Sequence, residues 1–440
     1  MKDWIVKTFS SKFAKGITGA LGLNMAEAGL GFATAILLTR LMGPANYGVY
    51  SYAIALMGVF TILGLLGQDS YIVKIIAKLA SLKQLDEMSS FVKGVFGRIV
   101  LLNLIVMLGL VIALSFYQEQ LSKDKYLTLF IAISIVFFTV LMRVYAGLFQ
   151  GIQQIITSLY PDKLIRPLIY FCVISILSFV FKHDMAASKA ITANALAAFI
   201  ALMVIAYLWA QKKPYARSPR INWQDLTTEW RPALPFALLA GISVIYTNID
   251  IIMLGAYVPD SEIGIYRIAG RVATLISFAL IAVKSAFNPR ISSLYAQNDF
   301  ATLQNIASKA ALATTVVALP CFLVFVFAGY WVLVLFGDEF TSGTNILTIL
   351  SVGQLIGTIC ASSTSLLMMT SHANKAAHSL IFGAILNVVL NSLLIPSYGA
   401  IGGAYATTTA LTAVNIVNTY FVWTHIKINP TVFGFIFRKY

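Results

Sequence analysis

From Ala310 to Phe336 the chain runs for 27 residues without a charged side chain. A transmembrane β-strand alternates apolar and polar positions over about ten residues, and this run does not alternate. In hydrocarbon every backbone N–H and C=O must find a partner inside the segment, so a run of this length and character folds as a helix. About 20 apolar residues suffice to cross a bilayer. The rest of the 440-residue chain repeats the pattern: 59% of its residues are apolar and only 11% are charged, against about 25% in a soluble domain. That composition excludes an ordinary soluble enzyme, a disordered chain and a secreted disulfide scaffold. It predicts an all-α polytopic membrane protein.

Twelve spans are expected, at about 16–41, 46–71, 93–116, 126–150, 164–181, 187–210, 233–257, 262–288, 308–336, 344–370, 374–396 and 400–424. With the N-terminus inside, Lys and Arg favour the inner connections over the outer ones by about four to one, and this sets the orientation. An even number of spans then puts both termini in the cytoplasm. The net charge of +14 is accounted for by this bias, so no nucleic-acid partner is expected. Residues 1–15 hold four lysines and no cleavage site, so they read as a cytoplasmic segment rather than a signal peptide. Ile5, Phe9 and Phe13 give that segment either an interfacial helix or a basic tail.

Residues 211–232 are basic, hold Pro214, Pro219 and Pro232, and lie at mid-chain. They are expected to link a six-helix lobe, 16–210, to a second one, 233–425, with a cytoplasmic tail at 426–440. A repeat supports the division: Gly48, Tyr50 and Ala53 recur as Gly264, Tyr266 and Ala269, each 216 positions later. With six spans per half the repeat is parallel, about an axis along the membrane normal.

Cys172, Cys321 and Cys360 lie in apolar runs and are expected to be buried. The histidines His183, His372, His378 and His425 form no cluster, and no metal-ligand spacing is present, so no metal or cofactor is expected.

Residues 38–50 read Leu-Thr-Arg-Leu-Met-Gly-Pro-Ala-Asn-Tyr-Gly-Val-Tyr. This resembles the R-L-x-G-P-x-x-Y-G-x-Y signature of Wzx-type polysaccharide transporters, the O-antigen flippases of the multidrug/oligosaccharidyl-lipid/polysaccharide superfamily. Asn248-Ile249-Asp250 with Gly255, Gly264-Ile265-Tyr266, Asn288-Pro289-Arg290 and Tyr398-Gly399-Ala400-Ile401-Gly402-Gly403-Ala404 are similar to the same family. The resemblance covers nearly the whole chain. It implies two six-helix bundles around a central cavity that opens alternately to each side. The implied cargo is a lipid-linked oligosaccharide, carried on undecaprenyl pyrophosphate and moved from the cytoplasmic to the periplasmic leaflet of the inner membrane.

Ionisable residues within spans are costly and mark function by default. Glu27, Asp69, Arg98, Arg143, Asp250, Arg267, Arg271 and Lys284 qualify. An anionic cargo needs cations, and guanidinium groups bind phosphate bidentately. Arg271 is therefore the first choice for cargo contact and Arg143 the second, with Arg267 and Lys284 beside them. Lys284 lies about 140° round the helix from Arg271 and alternatively snorkels. Snorkelling is also the expectation for Arg98 and Arg40. Asp69 is expected to pair locally with Lys74. Glu27, near the middle of the first span, reads either as an ion-coupling carboxylate or as a hydrogen-bonded structural acid. Asp250 lies roughly 10 Å deep, a depth matching Arg267 and Arg271, so an ion pair with either is expected. That pair is either part of ion coupling or a static brace. Polar stripes at Ser351, Gln354, Thr358, Ser362 and Ser365, at Asn387 and Asn391, and at Thr408, Thr412, Asn415 and Thr419 either meet sugar hydroxyls or join helices.

The reading is thus a secondary transporter, coupled to protons or sodium because no Walker A sequence is present. Other polysaccharide-assembly membrane proteins are possible partners. The alternatives are a multidrug exporter or a peptidoglycan-precursor flippase of the same superfamily. A membrane polymerase or ligase ranks below these, because the outer connections are short and hold few paired acids; the chain is not expected to be an enzyme.

Overall fold

The computed structural model describes residues 12–180, 185–212 and 231–435. Helices carry almost all of them, and the described residues include no strand. Numbered in chain order, the helices are α1 (Lys12–Leu65), α2 (Gln68–Ser81), α3 (Leu85–Phe116), α4 (Lys123–Gly151), α5 (Ile155–Tyr160), α6 (Arg166–Val180) and α7 (Ala187–Lys212). There follow α8 (Leu234–Tyr257), α9 (Asp260–Ala273), α10 (Phe278–Ala296), α11 (Phe300–Phe327), α12 (Gly329–Val334), α13 (Thr344–Ile359), α14 (Ala361–Met369) and α15 (Ala373–Phe421). Among the described residues nine helical stretches are long and apolar enough to cross a membrane.

Two of those stretches, 47 and 54 residues long, would reach roughly 70 and 80 Å if straight. The hydrocarbon core is only about 30 Å thick. Each is broken by one glycine in the left-handed region: Gly43 (φ 64°) in α1 and Gly399 (φ 55°) in α15. Each break falls between two of the expected spans. Other expected spans are cut. The second ends at Leu65, where Leu66 and Gly67 take positive φ and start α2 as a separate amphipathic helix. The eighth is interrupted by a 3₁₀ turn at Thr274–Ser277, and the tenth stops at Cys360. The ninth ends at Ala328, whereas Pro320 is carried inside α11.

Contacts divide the chain into two units. The first falls within Met1–Met42 and Ala53–Gly241, the second within Gly43–Tyr52 and Ile242–Tyr440. The short stretch 43–52 belongs with the second unit because glycines let it come close. A Cβ on Gly48 would lie 1.7 Å from the Asp260 carbonyl oxygen, and one on Gly264 would lie 2.2 Å from that of Pro44. The two copies of the repeated glycine thus pack backbone against backbone. Tyr52 lies against Gly255 in the same way.

In the first unit α4 packs on α7 and α2. Ala190, Ala193, Ala197, Ala198 and Ala201 are buried along α7, and small side chains let helices approach in this way. Gly147 and Gly151 form a G-x-x-x-G step on α4 that seats α2: Cβ atoms there would fall 2.8 Å from the Asp69 oxygen and 2.6 Å from Ile76. In the second unit α13 packs on α15 and α11, while α10 and α14 pack together.

The expected linker lies outside the described residues over 213–230, as does the N-terminal segment over 1–11. The expected tail is described to residue 435, and its first part folds back: Gln304 donates to the Asn429 carbonyl (2.8 Å) and accepts from the Asn429 N–H (2.7 Å). Cys360 is buried as expected, but Cys172 is exposed and Cys321 is only partly covered.

Candidate functional site

Two polar interiors stand out, one in each unit. In the first unit Pro161 has no N–H to give, and the helix after α5 widens into a π turn at Pro161–Ile165. That turn carries Asp162 and Lys163. The Lys163 ammonium donates to both Glu27 oxygens, at 2.8 and 3.0 Å. Glu27 is therefore ion-paired, with a residue that the sequence reading had assigned to a connection. Asp162 pairs with Arg166 at 3.5 Å, and Arg166 also donates to Asn194 (3.1 Å) and Thr139 (3.5 Å). Beside this cluster lies a cavity of about 250 Å³ whose walls include Asp69, Ser70, Arg143, Gln150, Asp162 and Lys163. The α4 glycine step brings Asp69 to this wall, where its Oδ1 accepts from the Ser70 N–H (2.8 Å). The expected Lys74 pair is replaced by that bond. Arg143 is exposed to the cavity and has no hydrogen-bond or ion-pair partner among the described residues.

In the second unit a chain of polar groups runs between α8, α9 and both halves of α15. Tyr266 donates to Asp250 Oδ2 at 2.5 Å, and the Ile251 N–H reaches Asp250 Oδ1 at 2.9 Å. The Tyr266 hydroxyl also meets that of Thr407 at 3.2 Å. Asn387 donates to Thr407 (3.4 Å), and Asn391 donates to Asn387 (3.0 Å). Asn387 and Asn391 are buried, and Asn391 Oδ1 has no hydrogen-bond partner among the described residues. Carboxylate, hydroxyl and amide oxygens are the ligands that hard cations take. The cluster therefore has the chemistry to hold one. Among the described residues no group of three or more His, Cys, Asp and Glu could hold a metal ion.

The expected ion pair of Asp250 is corrected here: its partner is the Tyr266 hydroxyl. Arg267 acts on Asp250 only through space, and Arg271 forms no ion pair among the described residues. Arg267 and Arg271 are a like-charge pair one helical turn apart, which disfavours both meeting on one acid. Both are half-buried, as is Lys284. The structure thus joins Asp250 to Tyr266, Thr407 and the two asparagines. It places Glu27 and Arg143 in the other unit's cluster. Arg98 does not snorkel; it is buried at 6% exposure.

The sequence reading missed Lys163, Tyr266 and Thr407. The signal for Tyr266 was present, since it is the tyrosine of the repeated Gly-x-Tyr. Of the polar stripes, several join helices: Thr408 donates to the Ile349 carbonyl, Ser362 to that of Ala307, and Ser363 meets Thr419.

A family model described as "Polysaccharide biosynthesis protein" matches residues 13–295, and one described as "MatE" matches residues 235–393. Among curated relatives, the "Probable low-salt glycan biosynthesis flippase Agl15" of Haloferax volcanii is 24% identical over 42% of this chain and 39% of its own length. The "Probable flippase AglR" of the same organism is 29% identical over 39% of this chain and 37% of its own. The chain thus spans about two-fifths of the length of these relatives. Among solved structures, the lipid II flippase MurJ in an inward closed conformation superposes with a TM-score of 0.74, covering 94% of this chain and 90% of that one, at 17% identity. At that identity the likeness shows the fold alone. The first family model covers well over half of the chain, and on that ground the protein belongs to the polysaccharide biosynthesis protein family.

Proposed function

We propose that this protein is a secondary transporter that moves a lipid-linked glycan across the membrane by alternating access. The observation that carries the reading is a pair of cations without counter-ions. Arg143 and Arg271 lie in the expected spans and have no acidic partner among the described residues. An unpaired charge within a membrane protein is costly. An anionic cargo supplies the missing charge, and a guanidinium suits a pyrophosphate through two parallel hydrogen bonds. Arg267 and Lys284 add positive charge on α9 and α10. The family and the relatives' names point to glycans. Within that class we assign an undecaprenyl-pyrophosphate-linked O-antigen or capsule repeat unit. It moves from the cytoplasmic to the periplasmic leaflet of the inner membrane, with both termini cytoplasmic and other polysaccharide-assembly membrane proteins alongside.

For energy we assign exchange of a proton or sodium ion. The oxygen-rich cluster of Asp250, Thr407, Asn387 and Asn391 supports an ion site in the second unit. Glu27 is the other coupling candidate, but its carboxylate is engaged by Lys163. The chain carries no catalytic role in this reading.

The MatE match favours a second reading, a multidrug exporter. Surplus arginine suits a cationic drug poorly. A peptidoglycan-precursor flippase fits the charge as well as the leading reading does. Deletion of the gene in the source cell separates them. Accumulation of lipid-linked glycan with loss of surface glycan is expected, and the accumulated glycan names the cargo. Unchanged lipid-linked and surface glycans would reject the reading and bring the exporter forward.

A further inference from the structure

The first unit's cavity holds its cations in unequal ways, and that inequality points to a ligand. Arg143 faces the cavity unpaired among the described residues. Lys163 faces it too, 27% exposed, and its counter-ion is Glu27. Of the other acids on its wall, Asp162 pairs with Arg166, and Asp69 Oδ1 accepts from the Ser70 N–H. Glu27 is itself 38% exposed, so its carboxylate is not sealed among neighbouring side chains when the lysine leaves. At about 250 Å³ the cavity is smaller than the roughly 300–1,000 Å³ of drug-sized pockets. It therefore has room for a charged headgroup.

We propose that this cavity docks the phosphate group of an anionic ligand between Arg143 and Lys163. Glu27 acts as its internal competitor. The carboxylate holds the Lys163 ammonium while the cavity is empty and yields it when phosphate arrives. Arg143 supplies a planar two-pronged contact, and Lys163 supplies a point charge on a flexible stem. Gln150 adds an amide donor on the same wall. The empty site stays balanced, because Lys163 and Arg166 each keep a carboxylate. That the phosphate belongs to a lipid-linked glycan rests on the function proposed above.

The test is binding to the full-length protein in nanodiscs, with farnesyl diphosphate as the lipid-borne probe and inorganic pyrophosphate as the free one. Arg143→Gln and Lys163→Gln are each expected to weaken binding at least tenfold. Glu27→Gln removes the competitor and is expected to tighten binding about threefold. A brace at Glu27 would instead leave affinity unchanged or weaken it, and either result overturns the competitor role. In the unmodified protein, pyrophosphate is expected to protect Lys163 from amine acetylation, read by peptide mass spectrometry; this needs no variant to fold. Tighter binding of farnesyl diphosphate assigns the site to a lipid headgroup, and equal binding assigns it to a soluble phosphate. Wild-type affinity in both Arg143→Gln and Lys163→Gln, or no protection of Lys163, overturns the proposal. If the gene deletion accumulates lipid-linked glycan while neither probe binds, the transport reading stands and this site falls.

Discussion

The two units solve the same problem, polar groups inside a membrane protein, in opposite ways. The first uses ion pairs around an open cavity: Lys163 with Glu27, Asp162 with Arg166, and an Arg143 left over. The second uses a chain of neutral donors and acceptors ending on one carboxylate, from Asn391 through Asn387, Thr407 and Tyr266 to Asp250. Ion pairs can exchange partners with an entering anion at modest cost, because each charge finds another charge. A hydrogen-bonded neutral chain resists exchange, yet its oxygens suit a small cation. In the function proposed above, cargo contact and ion coupling therefore fall in different clusters.

The strongest test of this division concerns how the second unit is held together. Gly48→Leu should abolish folded protein, because even a Cβ at Gly48 meets the Asp260 carbonyl, whereas Gly109 on α3 has nothing within 4 Å of its Cβ. Overpacking of a tight contact costs about 1–3 kcal/mol or more. Gly109→Ala should instead stabilise by about 0.4–1 kcal/mol. The yield and melting temperature of detergent-solubilised protein read both; equal behaviour of the two positions would remove the close crossing.

The next test separates the clusters by function. Asp250→Asn is expected to remove the dependence of transport on a sodium or proton gradient by tenfold or more, while Glu27→Gln leaves that dependence in place. Transport in proteoliposomes with and without each gradient measures this, and the reverse pattern would move ion coupling to the first unit. Asn103→Ala comes third. The Asn103 amide donates to the carbonyls of Gly64 (3.1 Å) and Ile99 (2.8 Å) in a buried setting. Its loss should cost about 1–3 kcal/mol, read as a lower melting temperature with transport otherwise intact.

The smallest effect lies at the start of α11. There Asp299 accepts from the Thr302 N–H (3.0 Å), and this holds its carboxyl below the ordinary carboxylate range. The folded value is the lower one, so this contribution is present above the ordinary pKa of about 3.9. It is lost as pH falls through the lowered value. Faster amide exchange at Thr302 in acid would report it.

Much of the fold was legible in the sequence because apolar runs specify membrane helices almost by length alone. The repeated glycine was legible too, and the structure gives its reason: at Gly48 and Gly264 the backbones of the two copies touch. The partners of charged residues were not legible. Helical periodicity tells which face a side chain occupies, not which helix lies opposite. Lys163, 136 residues from Glu27, reaches it from a proline-started π turn. Asp250 was legible as an acid needing a partner within its span, but matched depth suggested arginine where a neighbouring tyrosine was nearer. The breaks at Thr274–Ser277 and Cys360 left no sequence mark because no proline or charge lies there.

Unpaired arginines that serve an anionic cargo should be indispensable for transport. Replacing the native gene with an Arg143→Gln/Arg271→Gln double variant, and measuring lipid-linked and surface glycan beside protein level, tests this. Accumulated lipid-linked glycan and at least tenfold less surface glycan, at normal protein level, is the predicted result. Normal surface glycan in that variant would contradict the claim.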